Sequence, residues 1–324
     1  MNSIISVFFG VLAPAAVVSF IFGGTFAHPA IGIPPSRVSS ELRGRLAPAP
    51  VRATYPGALP RARGRVGGVQ SLGVELTAVS AIAVDAETGE VLFQKNPDMV
   101  WPTASLTKLM TALQLRSRGI PGGEQLKLES SDEGEGGIPY FIPGEEVSEQ
   151  ELFQAMLVGS ANSAATVLAR SSGSLEAFVA AMNERARTLG LSATRFVDPT
   201  GLNPENVSTA RNLALLARSA FADDVVREAA SAPEVTVHPA GGSPRKIRST
   251  NALLSGFLNT PPYRIIAGKT GHLDESRYNL ALELERDGRR AIIVLFGSET
   301  AERRFQEAKA VAAWLFNDLR AVAR

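Results

Sequence analysis

The sequence has no cysteine and few histidines, tryptophans and tyrosines. Its 324 residues include 3 histidines, 2 tryptophans and 4 tyrosines. Without cysteine, disulfides play no part in the fold. The histidines, His28, His238 and His272, are too few and too scattered for a zinc site. A Ser-His-Asp triad would have to use His238 or His272, and neither lies in a local signature for one. The sequence therefore predicts no metal and no other cofactor.

An excess of charge of either sign is also absent. Lys and Arg together number 33 and Asp and Glu together 32, which gives a formal net charge of +1. A basic surface for nucleic acid is therefore not expected. The hydrophobic content of 45% is that of an ordinary globular protein, and the length allows one large domain.

A long hydrophobic run lies at the N-terminus. Residues 4–24 are almost entirely apolar and long enough to span a membrane, and Thr25-Phe26-Ala27 follows as a signal-peptidase-like site. We expect residues 1–27 to be a signal peptide or an N-terminal membrane anchor. Arginines follow the run and no Lys or Arg precedes it, so the positive-inside rule alone would keep the following residues in the cytoplasm.

Residues 28–74 differ in composition from the rest of the chain. They are rich in Pro, Gly, Ala and Arg and have no sustained hydrophobic periodicity. This composition predicts a flexible, disordered linker, which either reaches into an anionic wall or acts only as a spacer. Residues 75–324 are then the predicted catalytic domain.

The first of three short motifs in this domain is Ser105-x-x-Lys108. Pro102 precedes it and apolar residues recur at helical spacing from Leu106 to Leu113, so Ser105 is expected in the first turn of a helix. Lys108 lies one turn further on, within reach of the serine hydroxyl. The helix dipole and partial burial would lower the lysine pKa, so that a neutral Lys108 can take the serine proton. Alone, the motif is more typical of an ordinary surface helix.

The second motif, Ser160-Ala161-Asn162, lies between two predicted helices. Small residues at this corner, including Gly159, allow close approach of another element. The Ser160 hydroxyl can pass a proton to a leaving amine, and the Asn162 amide can hold a peptide backbone. In isolation, these residues are more typical of a simple turn between helices.

The third motif, Lys269-Thr270-Gly271, ends an apolar strand-like stretch. Two further strand-like runs follow, and Asp287-Gly288 between them predicts a hairpin. The Lys269 ammonium and the Thr270 hydroxyl can hold a carboxylate, and Gly271 leaves room for a substrate backbone. A lysine on an edge strand also serves as a guard against aggregation.

The order of the three motifs is more informative than any one of them. A Ser-x-x-Lys pair is expected by chance roughly once in a chain of this size. Together and in this order, the motifs supply a nucleophile, a base, a proton relay and an anion-binding group for acyl transfer through a serine.

The periodicity of the remaining sequence predicts an α+β fold with an antiparallel five-stranded sheet covered by helices and a helical lobe beside it. The motifs would meet in a cleft between the two. The predicted strands are 79–85, 91–94, one near Ile265, 277–285 and 291–296, and the predicted helices are 106–118, 149–158, 161–170, 175–189, 209–220 and 301–319.

The motifs and their flanks resemble the low-molecular-mass penicillin-binding proteins, the peptidase S11 family of serine D-alanyl-D-alanine carboxypeptidases and endopeptidases. The likeness extends from about residue 79 to about residue 320, and it is strongest in residues 81–93, 101–112, 194–202, 206–211 and 249–254. It implies the serine β-lactamase/DD-peptidase fold. The implied partners are peptidoglycan stem peptides as substrates and β-lactam antibiotics as covalent inhibitors.

The resemblance also implies a role for each motif residue. Ser105 would form the acyl-enzyme, Lys108 would act as its general base, and Ser160 would relay a proton to the departing D-alanine. The implied substrate-binding residues are Asn162 for the stem peptide, Lys269, Thr270 and Gly271 for the terminal carboxylate and the backbone beside it, and His272, whose backbone N–H would form the oxyanion hole with that of Ser105.

The implied location is extracytoplasmic, in the periplasm or on the outer face of the cytoplasmic membrane, with attachment possible through the N-terminus.

The sequence stops after the last predicted helix, as in the shorter family members without a C-terminal β-rich domain. Some of those are endopeptidases. Gly297-Ser298 stands where some carboxypeptidases place a carboxylate-binding arginine, and Arg303 or Arg304 is the candidate substitute. A carboxypeptidase is therefore the main expectation, and an endopeptidase that cleaves crosslinks is the alternative.

Two other classes are alternatives, and the first, the serine β-lactamases, has the same three motifs. A serine β-lactamase uses a glutamate to activate the deacylating water, whereas the corresponding segment here contains Asp198. We therefore expect slow release of penicillin. A non-catalytic wall protein would be expected to have lost Ser105 or Lys108, and both are present.

Overall fold

The strands of the fold form one large sheet and three small ones. The computed structural model describes residues 74–134 and 136–322, all of them in the compact unit Ala58–Arg324. Its strands are β1 (Ser80–Asp85), β2 (Val91–Lys95), β3 (Trp101–Pro102), β4 (Gln125–Lys127), β5 (Glu146–Ser148), β6 (Val207–Ser208), β7 (Glu234–Val237), β8 (Arg245–Arg248), β9 (Tyr263–Leu273), β10 (Arg277–Arg286) and β11 (Arg289–Ser298). The large sheet is antiparallel with the order β2-β1-β11-β10-β9, and β3 pairs with β6, β4 with β5 and β7 with β8.

Most of the helices lie in the sequence between β2 and β7. The helices of the described residues are α1 (Lys108–Arg116), α2 (Glu149–Val158), α3 (Asn162–Ser171), α4 (Leu175–Thr188), α5 (Ala210–Ala222), α6 (Asp224–Ser231) and α7 (Ala301–Val322). The predicted α+β class with a five-stranded antiparallel sheet and a helical lobe is confirmed.

The large sheet is buried on both faces, which explains its long apolar runs. Alternate side chains of β11 point to opposite faces. Ile292 and Val294 pack in the cluster that contains the helical lobe, whereas Ile293 and Leu295 pack in the cluster that contains α7. All four are fully buried. The sheet is therefore the middle layer, with helices on both sides.

The predicted hairpin between β10 and β11 is confirmed. Arg286 pairs with Arg289, and Asp287 and Gly288 between them have φ values of 53° and 77°. Positive φ at both central residues is the geometry of a type I′ turn, which Asp-Gly favours.

The structure differs from the prediction at one helix start and in several short elements, among them the strand pairs β3–β6 and β4–β5, which were not predicted. The helix of the first motif starts with a 3-10 turn, Ala104–Thr107, before α1 begins at Lys108. Helix α6 and the β7–β8 hairpin were not predicted. Both are short: the helix is only 8 residues long, and each strand contributes one fully buried apolar residue, Val237 in β7 and Ile247 in β8.

The predictions for the N-terminus, a signal peptide or anchor in residues 1–27 and a linker over 28–74, lie outside the described residues except for Val74. In residues 74–134 and 136–322, no helix is both long and apolar enough to cross a membrane.

Candidate active site

A cleft of about 560 Å³ contains the residues that the sequence singled out. Ser105, Ser160 and Asn162 line it, together with Thr270, Gly271 and His272 of β9. Lys108 and Lys269 lie behind this lining, with 0% and 1% of their surface exposed. The structure therefore brings all eight predicted site residues together.

Ser105 lies on a tight turn that two glycines make possible. Its neighbour Ala104 has a φ of 47°, a left-handed conformation that non-glycine residues rarely adopt. A Cβ on Gly201 would lie 1.9 Å from the Ala104 carbonyl oxygen, and a Cβ on Gly271 would lie 3.2 Å from the Ser105 nitrogen. Because both positions lack a side chain, a loop and strand β9 pack directly against the nucleophile turn.

The Lys108 ammonium has three hydrogen-bond acceptors on three different segments. Its Nζ lies 2.9 Å from Ser105 Oγ, 2.7 Å from Asn162 Oδ1 and 2.7 Å from the Thr200 carbonyl oxygen. Burial lowers the Lys108 pKa to about 7, although the negative charge of Asp198 opposes the shift. When Lys108 loses one proton, two N–H groups can remain on Asn162 and Thr200, and the lone pair then faces the Ser105 hydroxyl.

The Asn162 amide has partners on both its atoms. Oδ1 accepts from Lys108, and Nδ2 donates to the Gly136 carbonyl oxygen at 3.1 Å. The contact with Gly136 holds Oδ1 toward Lys108. An amide nitrogen carries two protons, so one N–H of Asn162 is left to bind a substrate carbonyl.

Ser160 and Lys269 form the second buried pair. Lys269 Nζ donates to Ser160 Oγ at 2.8 Å and to the Thr270 carbonyl oxygen at 2.9 Å. Ser160 has a φ of 61°, which directs the chain sharply between α2 and α3. Burial sets the Lys269 pKa well below its usual value, and the positive charges of Lys108 and Arg304 lower it further.

Arg304 of α7 lines the cleft and is a third basic side chain beside the buried Lys108 and Lys269. Its Nη1 donates to the carbonyl oxygens of Gly271 and Asn279 at 3.1 Å and 3.2 Å. Burial lowers its pKa to about 10, so it stays charged at neutral pH. Of the two candidate arginines, Arg304 is buried in the cleft lining whereas Arg303 is exposed. The sequence could not separate them, because only the packing of α7 on the sheet shows which one faces inward.

Gly297, which stands where some carboxypeptidases place an arginine, has no room for a side chain. Its φ is 71°, and a Cβ there would lie 2.8 Å from Val79 Cγ2 and 3.1 Å from the Trp101 ring. The neighbouring Ser298 is fully buried, and its hydroxyl donates a hydrogen bond to the Glu307 carboxylate. Position 297 therefore cannot supply a side chain to the cleft.

Asp198 organises the loop that carries Thr200 and Gly201. Its Oδ1 accepts from the Thr200 and Gly201 nitrogens and from the Thr200 hydroxyl, at 2.6 to 2.7 Å. Its Oδ2 accepts from the Asn203 nitrogen at 2.9 Å and the Asn206 side chain at 2.6 Å. Burial acts to raise the Asp198 pKa, but these hydrogen bonds outweigh it and the net shift is downward. A low-pKa carboxylate with five donors around it is poorly suited to activate water.

The His272 ring is exposed and stacks on Tyr278, with ring centroids 4.3 Å apart. It touches neither lysine network. The His272 backbone lies on β9 next to Gly271.

Comparison with known proteins identifies the family. The model of the D-alanyl-D-alanine carboxypeptidase family, Peptidase S11, matches residues 68–300. The chain belongs to this family. The family, the fold class and the class of enzyme expected from the sequence, a serine-type D-Ala-D-Ala peptidase, are thereby confirmed.

The relatives of this S11 chain are named for different activities. It is 34% identical to a D-alanyl-D-alanine endopeptidase from Pseudomonas aeruginosa, over 74% of this chain and 78% of that protein. It is 30% identical to the D-alanyl-D-alanine carboxypeptidase DacF from Bacillus subtilis, over 70% and 59% of the two chains. The crystal structure of a Streptomyces DD-transpeptidase superposes with a TM-score of 0.70 at 26% identity, over 75% and 98%.

The pKa of Lys108 leads to a prediction about pH. Only neutral Lys108 can accept the Ser105 proton, so the rate of covalent labelling by penicillin should fall about tenfold per pH unit below about pH 7 and level off above it. The measurement is the second-order labelling rate across this range. A rate that does not change between about pH 5 and about pH 8 would exclude Lys108 as the base.

A second prediction concerns the contact between Asn162 and the glycines at 136 and 137. A Cβ on Gly137 would lie 2.5 Å from Asn162 Nδ2, so Gly137→Ala should displace the amide and lower the penicillin labelling rate by roughly tenfold or more. Gly144→Ala is the matched control, because Gly144 also has a positive φ, 95°, but no atom within 4 Å of its Cβ position. Equal rates for the two variants would contradict the assigned contact.

Proposed function

We propose that this chain is a serine D-Ala-D-Ala carboxypeptidase that removes the terminal D-alanine of peptidoglycan stem peptides through an acyl-enzyme on Ser105. The observation that carries the proposal is the convergence of two hydrogen-bonded pairs in one cleft. Lys108 contacts Ser105, and Lys269 contacts Ser160 beside Thr270 and Arg304. The first pair suits nucleophilic attack, and the second suits an anionic leaving group.

Acylation begins with transfer of the Ser105 hydroxyl proton to neutral Lys108. Ser105 Oγ then bonds to the carbonyl carbon of the penultimate D-alanine, and the carbonyl π electrons move onto its oxygen. The backbone N–H groups of Ser105 and His272 are proposed to stabilise this oxyanion. Gly271 lies between them and has no side chain to block the approach.

The C–N bond of the tetrahedral intermediate breaks when its nitrogen receives a proton. Ser160 is proposed to donate that proton, which Lys269 can replace through the 2.8 Å contact between its Nζ and Ser160 Oγ. The free D-alanine leaves as an amine with its carboxylate intact. Water then attacks the ester carbon, and one of its protons passes to Lys269, which gave one up during acylation. As the bond from this carbon to Ser105 Oγ breaks, the proton held by Lys108 returns to the serine oxygen, and the shortened peptide leaves as a carboxylic acid that ionises.

The cleft has a cationic end for the substrate carboxylate. Lys269, Thr270 and Arg304 supply donors there, and Arg304 is a buried guanidinium without a carboxylate in ion-pair distance among the described residues. Strand β9 is an edge of the sheet, so an extended peptide can lie along it with its carbonyl toward Asn162. The substrate thus has a fixed direction in the cleft.

Endopeptidase activity on peptidoglycan crosslinks is the second candidate. The relative from Pseudomonas aeruginosa named as an endopeptidase matches over more of its own length than the Bacillus subtilis carboxypeptidase does, 78% against 59%. The same catalytic residues would serve, because only the size of the leaving group differs. A β-lactamase is disfavoured because Asp198 is occupied by loop hydrogen bonds.

Members of this family act on cell-wall peptides and bind β-lactams, which implies an extracytoplasmic enzyme. We further propose that residues 1–27 direct export, and that residues 28–74 separate the catalytic domain, residues 75–324, from the membrane. The composition of these N-terminal segments supports this arrangement.

The test is incubation of the purified full-length protein with stem pentapeptide and with crosslinked muropeptide dimers, followed by mass spectrometry. We expect loss of one alanine from the pentapeptide and no reaction by Ser105→Ala. Arg304→Gln should raise KM by roughly tenfold, whereas the neighbouring Arg303→Gln, on an exposed side chain, should change it little.

Each other outcome of this experiment is informative. If the enzyme splits the muropeptide dimer but leaves the pentapeptide intact, the protein is an endopeptidase and not a carboxypeptidase. Release of D-alanine by Ser105→Ala would refute the assignment of Ser105 as the nucleophile. Equal changes in KM for Arg303→Gln and Arg304→Gln would refute the assignment of Arg304 to the anion site.

A further inference from the structure

A second threonine outside the three motifs lies at the anion-binding end of the cleft. Thr250 Oγ1 is 2.6 Å from Thr270 Oγ1, and both residues line the cleft. Thr250 precedes the 3-10 turn Ala252–Ser255 and belongs to no regular element. It is therefore a loop residue in direct hydrogen-bond contact with the proposed carboxylate-binding hydroxyl.

The backbone around Thr250 is held independently of this contact. The Thr250 nitrogen donates to the Val158 carbonyl oxygen at 3.1 Å, and the Ser249 nitrogen donates to the Pro233 carbonyl oxygen at 2.8 Å. The next residue, Asn251, is buried under β9, where a Cβ on Gly268 would lie 2.6 Å from its Nδ2. Thr250 thus has a fixed position from which its hydroxyl can orient that of Thr270.

The Thr250 contact also ties β9 to the corner that carries Ser160. Val158 is the last residue of α2 and stands two positions before Ser160. On the other side of the cleft end, Lys269 Nζ joins Ser160 Oγ to the Thr270 carbonyl oxygen. Two separate paths therefore set the distance between the proposed proton relay and the proposed carboxylate site.

The two hydroxyls have two protons, and one of them must lie between the oxygens. If Thr250 donates it, the Thr270 proton is left to donate to a substrate anion. A hydroxyl that accepts a hydrogen bond is polarised and becomes a better donor. In the opposite arrangement the Thr270 hydroxyl would donate its proton to Thr250 and would have none left to donate to the substrate.

We propose that Thr250 is a positioning residue for anion recognition, which donates to Thr270 Oγ1 and directs the Thr270 hydroxyl proton at the carboxylate of the substrate. This role rests on the proposed function, in which Thr270 binds the terminal carboxylate. It makes Thr250 a determinant of specificity for substrates with a free acid end.

The test compares acylation of the full-length protein by benzylpenicillin and by its methyl ester, which lacks the anion. Thr250→Val keeps the shape of the side chain and removes its hydroxyl, and Thr250→Ser keeps the hydroxyl. We expect Thr250→Val to lower the second-order acylation rate for the free acid by roughly threefold to tenfold and to leave the ester unchanged. Thr250→Ser should restore most of the rate, and on the pentapeptide the Thr250→Val effect should appear in KM more than in kcat.

Several results would overturn the role of Thr250. These are an unchanged rate of Thr250→Val on the free acid, an equal loss on acid and ester, and no rescue by Thr250→Ser. If Thr250→Val is too unstable to assay, Thr250→Ala with its Tm measured replaces it. In a Thr270→Val background, removal of the Thr250 hydroxyl should have no further effect, and a full additive loss would refute the path through Thr270.

The outcome for the unmodified protein separates this proposal from the proposed function. If the wild type is not acylated at Ser105 by either compound, the proposed function fails and the role of Thr250 fails with it. If the wild type is acylated and prefers the free acid, but Thr250→Val behaves like the wild type, only the role of Thr250 is refuted.

Discussion

The burial of Lys108 beneath the nucleophile turn is the constraint on which the site depends. A buried lysine is stable only if its N–H groups have acceptors, and here they come from the nucleophile turn, the α2–α3 corner and the loop held by Asp198. These three segments are far apart in the sequence, and the Lys108 side chain holds them together in the structure. The same burial lowers the Lys108 pKa to about 7 and so makes it a base at neutral pH.

The other cations of the cleft are arranged for a different task. Lys269 and Arg304 are buried in the same site as Lys108, and after burial itself the positive charges of Lys108 and Arg304 disfavour the charged form of Lys269. A bound carboxylate offsets the repulsion between these basic side chains, and this electrostatic gain favours binding of an anion. Asp198 lies close enough to Lys108 to influence its pKa, but its own hydrogen bonds are used to hold the loop. In the proposed mechanism, attack and anion recognition are thus divided between two buried lysines.

Much of this arrangement could be predicted from the sequence, and the reasons for the rest are physical. Ser105 and Lys108 are one helical turn apart, and Asp287-Gly288 favours one type of turn, so local rules were sufficient for them. The Thr200 carbonyl, the Gly136 carbonyl and the Thr250 hydroxyl act through contacts between residues 20 to 92 positions apart. Backbone acceptors leave no mark on residue identity, and a threonine in a loop has many ordinary reasons to be there.

The central claim is that neutral Lys108 activates Ser105 and that Asp198 does not activate water against the penicilloyl ester. Its most direct test is intact-protein mass spectrometry after brief exposure to benzylpenicillin. We expect the mass to increase by one penicillin, the adduct to map to Ser105 in peptide digests, and the adduct to persist long after free penicillin is removed. Lys108→Gln should not acquire it at a comparable rate. Rapid loss of the adduct with turnover of penicillin, or an adduct on any other residue, would contradict the account.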